Sequence, residues 1–105
     1  MLNYNAQGLI PTVIQDDQTN VVLMLGYMNA ETLRKTKEIG QVVFWSRSRQ
    51  EVWHKGATSG DYLEVRSIKA DCEHNSLLIR VKMLGGAVCH TGAKACFFNE
   101  VDEIA

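Results

Sequence analysis

Several things are scarce in this chain of 105 residues. It has no long hydrophobic run: the longest apolar stretch, Val21 to Tyr27, falls far short of the roughly 20 residues that a membrane-spanning helix needs. It has no excess of charge, because 11 Lys and Arg stand against 12 Asp and Glu for a net charge of -1. No field of one sign is therefore available to collect nucleic acid or an anionic lipid surface, and any anion site must be local. Proline occurs once. The N-terminus Met1-Leu2-Asn3-Tyr4-Asn5 lacks the basic and apolar regions of an export signal, so the expected location is the cytoplasm. Cysteine is limited to three, an odd number that argues against a disulfide framework and leaves buried thiol, reactive thiol or metal ligand.

With 46% hydrophobic and 22% charged residues, the composition is that of an ordinary globular domain. No repeat, linker or low-complexity run interrupts it, so residues 1 to 105 are read as a single domain. Leu9 to Gln15 and Val21 to Gly26 predict a hairpin around the turn formers Asp16-Asp17-Gln18-Thr19-Asn20. Pro11 suits an edge strand or the start of one. Asn29 is positioned to cap a helix over 30–39, with Met28 and Leu33 as its staple and Gly40 as its end. Leu33 and Ile39 are its expected apolar contacts, and it is expected to cap a sheet. Strands follow at Val42 to Trp45, Glu51 to Lys55, Tyr62 to Cys72 and Leu77 to Leu84. In the last of these, Leu77, Ile79, Val81 and Met83 alternate with Leu78, Arg80, Lys82 and Leu84. A short helical turn is expected near Lys94 to Phe97. The fold class is α+β, predominantly β, with exposed strand edges suited to pairing with a second copy.

Three stretches carry chemistry. Cys89-His90-Thr91-Gly92-Ala93-Lys94-Ala95-Cys96 sets two thiols and an imidazole around a glycine, and the third thiol, Cys72, ends a strand. Three thiols match the ligand count of a catalytic zinc, yet the interval is no zinc-finger spacing and buried inert thiols fit equally. In Asp71-Cys72-Glu73-His74-Asn75, an extended backbone would turn the oxygens of Asp71, Glu73 and Asn75 to one side, where a hard cation could bind. A polar hairpin turn explains the same residues. Phe44-Trp45-Ser46-Arg47-Ser48-Arg49 and Trp53-His54-Lys55 interleave aromatics, cations and hydroxyls that can stack on a base and hold phosphate, although single aromatics on strands usually serve the core.

Together with Gly8-Leu9-Ile10-Pro11, Tyr27-Met28-Asn29, Lys55-Gly56, Thr58-Ser59-Gly60, Leu77-Leu78 and Cys96-Phe97, these stretches resemble phosphoribosyl-AMP cyclohydrolase, in order along most of the chain. The resemblance implies an intertwined homodimer of small, pseudo-barrel-like β subunits with one capping helix. It implies hydrolysis across N1 and C6 of the purine of phosphoribosyl-AMP by zinc-activated water, a step in histidine biosynthesis. Zinc would be held by Cys72 of one subunit with Cys89 and Cys96 of the other, and magnesium by Asp71, Glu73 and Asn75. His90 would act as general base or proton shuttle. Trp45, Arg47, Arg49, Lys55, Thr58 and Ser59 would bind the nucleotide. Where the family has Asp-Cys-Asp-x-Asp this chain has Glu73 and Asn75, and Ala57 stands where the family loop carries an acid. The implied magnesium site is therefore depleted of charge, and a zinc-binding or nucleotide-binding paralogue without full activity is the alternative. No nucleic acid or membrane partner is expected.

Overall fold

The structure is a computed structural model that describes residues 1–89 and 91–104. Alternation decides its main sheet. In β1 (Ile10–Asp16) the odd partners Pro11, Val13 and Gln15 are half-buried, while Ile10, Thr12, Ile14 and Asp16 face the interior. In β6 (Leu77–Met83) Leu77, Ile79 and Val81 do the same. These two strands pair in parallel, Thr12 with Leu77 through Asp16 with Val81. β2 (Val22–Met28) pairs antiparallel on the far side of β1, and β5 (Leu63–Ala70) antiparallel on the far side of β6. The four-stranded order is β2-β1-β6-β5. β1 is thus central, and Pro11 is tolerated because β6 joins only from Thr12 onward. Asp16 ends the strand: its carboxylate accepts from the Gln18 amide at 3.0 Å and the Thr19 hydroxyl at 2.9 Å, bonds that hold its pKa below the usual range.

A two-stranded hairpin, β3 (Val43–Ser46) with β4 (Glu51–His54), stands apart from that sheet, with Phe44 opposite Trp53. Its attachment is steric and specific. The Phe44 ring lies so close to Gly26 of β2 that a Cβ there would come within 2.5 Å of it, and Phe44 is fully buried. The backbone of 40–42 pairs along the outer edge of β5, through Val42 N–H to Leu63 O at 3.0 Å and Val65 N–H to Gly40 O at 2.8 Å. The chain itself thereby covers the Leu63–Val65 end of that edge.

Helix α1 (Ala30–Ile39) begins at Asn29, whose side chain accepts from the Thr32 amide at 2.8 Å while the Thr32 hydroxyl accepts from the Asn29 amide at 3.0 Å. Gly40 closes it in the left-handed region at φ 73°. The buried face differs from the expected one. Ile39 is exposed, and the helix packs through Thr32, Leu33 and Thr36. Thr36 is there for its hydroxyl, which accepts from the Val43 amide at 3.0 Å and lies 2.8 Å from Thr32 O and 3.2 Å from Val43 O, acceptors for its single proton. The helix thereby does for the first residue of β3 what a neighbouring strand would do. The expected helical turn at Lys94 to Phe97 is absent; that segment is a run of bends, and among the described residues the only helix after it is α2 (Val101–Ile104). Among the described residues no helix is long and apolar enough to cross a membrane.

Thr36→Val keeps the volume and removes the hydroxyl, leaving buried backbone groups of Val43 without a partner. Unsatisfied buried groups cost about 1–3 kcal/mol each, so urea unfolding of the variant is expected to show a lower midpoint with an unchanged slope. An unchanged midpoint contradicts the assigned role.

Candidate functional site

The segment after β6 folds back as a closed loop. The amides of Val88 and Cys89 reach Ala93 O at 3.3 and 3.2 Å, and Gly92, at φ 89°, donates to Cys89 O at 2.9 Å. Cys96 is then tied to the main sheet by its amide, which donates to Leu23 O of β2 at 2.7 Å. The two anchors bring the thiols of Cys89 and Cys96 close enough to influence each other's ionisation. The Thr91 hydroxyl, 3.2 Å from Cys89 Sγ, and the Thr91 amide hold the Cys89 thiol below its ordinary pKa, with help from Cys96 and from the charge of Lys55. Burial pushes Cys96 the other way, reinforced by its neighbour Cys89. The two thiols are thus shifted in opposite directions.

Lys55 is a buried cation, donating from Nζ to Val88 O and lying 5.4 Å from the centre of the Trp53 ring. It opens a turn closed by Gly60 N–H to Gly56 O at 2.7 Å. Arg49, Lys55, Thr58 and Ser59 line a cleft of about 510 Å³ together with Cys89. Among the described residues, Asp61 brings the only carboxylate to this lining. It seats against Gly85, where a Cβ would fall 1.9 Å from Asp61 Oδ1. Four of the six expected nucleotide-binding residues therefore share a cleft with one expected metal ligand. The other two, Trp45 and Arg47, line a separate cleft of about 560 Å³. The Arg47 guanidinium carbon lies over the Tyr27 ring, 3.8 Å from its centre.

Trp53 lines both clefts; the sequence set it in a stretch able to stack on a base, but outside the nucleotide-binding residues that the resemblance implies. Its signal was positional: Trp53 and Lys55 are two apart along a strand direction and so point to one face.

Cys72 is elsewhere. It lies exposed in the turn between β5 and β6, beside Leu77, whereas the Cys89 loop follows the Met83 end of β6. The seven residues of β6 span roughly 20 Å. Among the described residues, no three His, Cys, Asp or Glu side chains gather as a metal cluster. By donor chemistry the Cys89–Cys96 pair suits zinc as part of a site, since thiolates are preferred zinc ligands.

The Asp71–Asn75 segment is not extended as the alternation argument required. It is a turn with His74 at φ 59°. Asp71 Oδ1 accepts from the amides of Asn75 at 2.9 Å and Ser76 at 3.2 Å. Desolvation raises the pKa of Asp71, but these bonds and the Ser76 hydroxyl outweigh it and hold the carboxyl below its usual range. Asn75 Nδ2 points at Glu73 Oε2, 3.4 Å away. Residues 1–3 strap the turn from outside, with Asn3 donating to His74 O at 2.7 Å from its amide and to Glu73 O at 2.9 Å from its side chain. The expected proton carrier, His90, lies outside the described residues.

Comparison with known proteins agrees with this arrangement of motifs. A family model described as phosphoribosyl-AMP cyclohydrolase matches residues 24–98. The phosphoribosyl-AMP cyclohydrolase of Streptococcus mutans is 54% identical over 101 residues, covering 95% of this chain and 92% of that protein. That of Listeria monocytogenes serotype 4b is 55% identical over 98 residues, covering 93% and 92%. A histidine biosynthesis bifunctional protein of Prochlorococcus marinus is 45% identical over 102 residues, which are 97% of this chain and 45% of that protein.

In metal-free protein Cys89 is expected to be alkylated by iodoacetamide faster than Cys96 near neutral pH, because the thiolate is the nucleophile. Thr91→Val removes the hydroxyl that stabilises that thiolate and is expected to move the pH at which Cys89 reacts upward, as read by peptide mass spectrometry. Equal rates for both thiols, or no shift in the variant, contradict the assignment.

Proposed function

The chain belongs to the phosphoribosyl-AMP cyclohydrolase family, and we propose that it opens the adenine ring of phosphoribosyl-AMP by hydrolysis between N1 and C6, at a zinc centre completed by a second copy of the chain. The observation that carries the reading is the convergence of Cys89, Arg49, Lys55, Thr58 and Ser59 on one cleft, in a chain 54% identical to a cyclohydrolase over 95% of its length. N1 of the substrate carries a ribosyl group, so the ring is already polarised and C6 is electrophilic. Water adds at C6, the C6–N1 bond breaks, N1 takes a proton and C6 becomes a carboxamide.

Cys89 and Cys96 of one copy and Cys72 of the other are the proposed zinc ligands. A third thiol roughly 20 Å away along β6 cannot complete the site within one chain. When bound, zinc supplies Lewis acidity that eases ionisation of water near neutral pH. The chain's own groups do the rest. Lys55 keeps positive charge beside the thiolates, Arg49, Thr58 and Ser59 supply donors for phosphate and ribose, and His90, next in sequence to Cys89, moves the proton to N1. Exposed Phe97, Phe98, Val101 and Ile104 at the C-terminal end offer apolar surface for the homodimer. A magnesium ion at the turn would have Glu73 and the second oxygen of Asp71, with Asn75 adding no charge. That is a poorer set for a hard cation than an all-aspartate turn, and no step is assigned to it. The reaction needs no exported or membrane-bound state, so a cytoplasmic location belongs to this proposal.

Cys72→Ser and Cys89→Ser proteins are each expected to lose zinc, whereas subunits exchanged between them rebuild one intact site per mixed dimer. Metal analysis of the mixture decides it: exchange without recovered zinc excludes the shared site.

Ring opening is followed by the change in ultraviolet absorbance, and zinc-loaded wild-type protein without turnover contradicts the proposed reaction. His90→Ala is expected to lower turnover by about 10²- to 10⁴-fold with zinc content retained. Parallel loss of zinc would make His90 a ligand or support instead.

A further inference from the structure

Two clefts flank one indole. Arg47 and Arg49 leave the same β3–β4 turn but line different cavities, Arg47 with Tyr27 and Ser48, and Arg49 with Lys55 and Cys89, while Trp53 lines both. Trp53 is half-buried and fixed by Phe44, 5.5 Å away between ring centres. The Arg47 guanidinium carbon sits over the Tyr27 ring, a cation–π contact that steadies the group without using up its N–H donors, which can still serve an anion. Among the described residues Arg47 makes no ion pair.

Phosphoribosyl-AMP is a purine with two ribose 5-phosphate arms, one on N1 and one on N9, at opposite edges of the base. Resting on the reaction proposed above, C6 lies at the Cys89 cleft. N1 is bonded to C6, so its arm descends into the same cleft, and the N9 arm must leave across the other edge. We propose that the purine stacks on Trp53, that the Arg49–Thr58–Ser59 cleft takes the N1-linked phosphate, and that the Arg47 cleft takes the phosphate of the AMP half. Stacking on an indole tolerates the change in the base as its ring opens, and the two arginines hold the ends while the middle reacts. The ligand class is a base with two phosphate monoesters, and Arg47 and Arg49 measure its length.

AMP is the discriminating probe, because it carries only the N9 arm. Arg47 and Arg49 are both exposed, so alanine variants are expected to fold, which circular dichroism checks. Arg47→Ala is expected to weaken calorimetric binding of AMP to the zinc-loaded protein by at least about tenfold, the change that losing a charge-assisted hydrogen bond brings. It should also raise KM for phosphoribosyl-AMP. Arg49→Ala is expected to raise that KM similarly while leaving AMP binding unchanged. The division is overturned if Arg49→Ala weakens AMP as much as Arg47→Ala does, if Arg47→Ala leaves AMP binding unchanged, or if the wild type has no measurable affinity for AMP. Wild-type turnover is scored separately: a protein that opens the ring but lacks the asymmetry keeps the reaction and loses the two-arm division, and one that binds AMP asymmetrically without turnover does the reverse.

Discussion

The parallel pairing of β1 with β6 fixes where the chemistry sits. A parallel neighbour requires β6 to start where β1 starts, so the turn that introduces β6, with Cys72 in it, lies at one end of the sheet. The loop that follows β6, with Cys89 and Cys96, lies at the other. No side-chain rearrangement bridges the length of a seven-residue strand. On the proposed account this separation makes the zinc centre a property of the dimer: each copy presents a two-thiol half-site and, far from it, the single thiol that another copy lacks.

The two clefts beside Trp53 depend on a second constraint, the attachment of the β3–β4 hairpin. That hairpin has only four residues per strand, too few to be stable alone in water. It is held by Phe44 against Gly26, by the Thr36 hydroxyl on Val43, and by the 40–42 backbone on β5. Its tip carries Arg47 and Arg49 and its second strand carries Trp53, whose ring lies 5.5 Å from that of its cross-strand partner Phe44, so the setting of the indole follows from the buried contacts that hold the hairpin. Buried Lys55 continues that strand into the thiol loop and couples the two halves of the site.

Much of this was legible in the chain. The strands follow from alternation, most clearly at β1 and β6, and α1 from Asn29 and Gly40, whose roles depend only on neighbouring residues. What escaped is whatever distant partners decide. Hydropathy favours Ile39 over Thr36 as a core residue, but a hydroxyl was needed to satisfy Val43, and the threonines face inward. Alternation of Asp71, Glu73 and Asn75 suggested an extended ligand face, yet Asp71 prefers the nearby amides of Asn75 and Ser76 and bends the segment into a turn. Apolar residues near Lys94 to Phe97 resemble a helical turn, while the Cys96 amide is instead drawn to Leu23. For the site, the family resemblance named Arg49, Lys55, Thr58, Ser59 and Cys89, and the fold sets these five along one cleft. The resemblance could not show that Arg47 diverges from Arg49 or that Trp53 stands between them, since both facts depend on how the hairpin is packed.

The shared zinc centre is tested most directly by anomalous diffraction at the zinc absorption edge from crystals of the wild-type protein grown with zinc. The account predicts one anomalous peak per chain, with sulfur ligands at about 2.3 Å from Cys89 and Cys96 of one copy and Cys72 of another. A peak whose protein ligands all come from a single chain, or one at Cys89 and Cys96 with no Cys72 beside it, would contradict it.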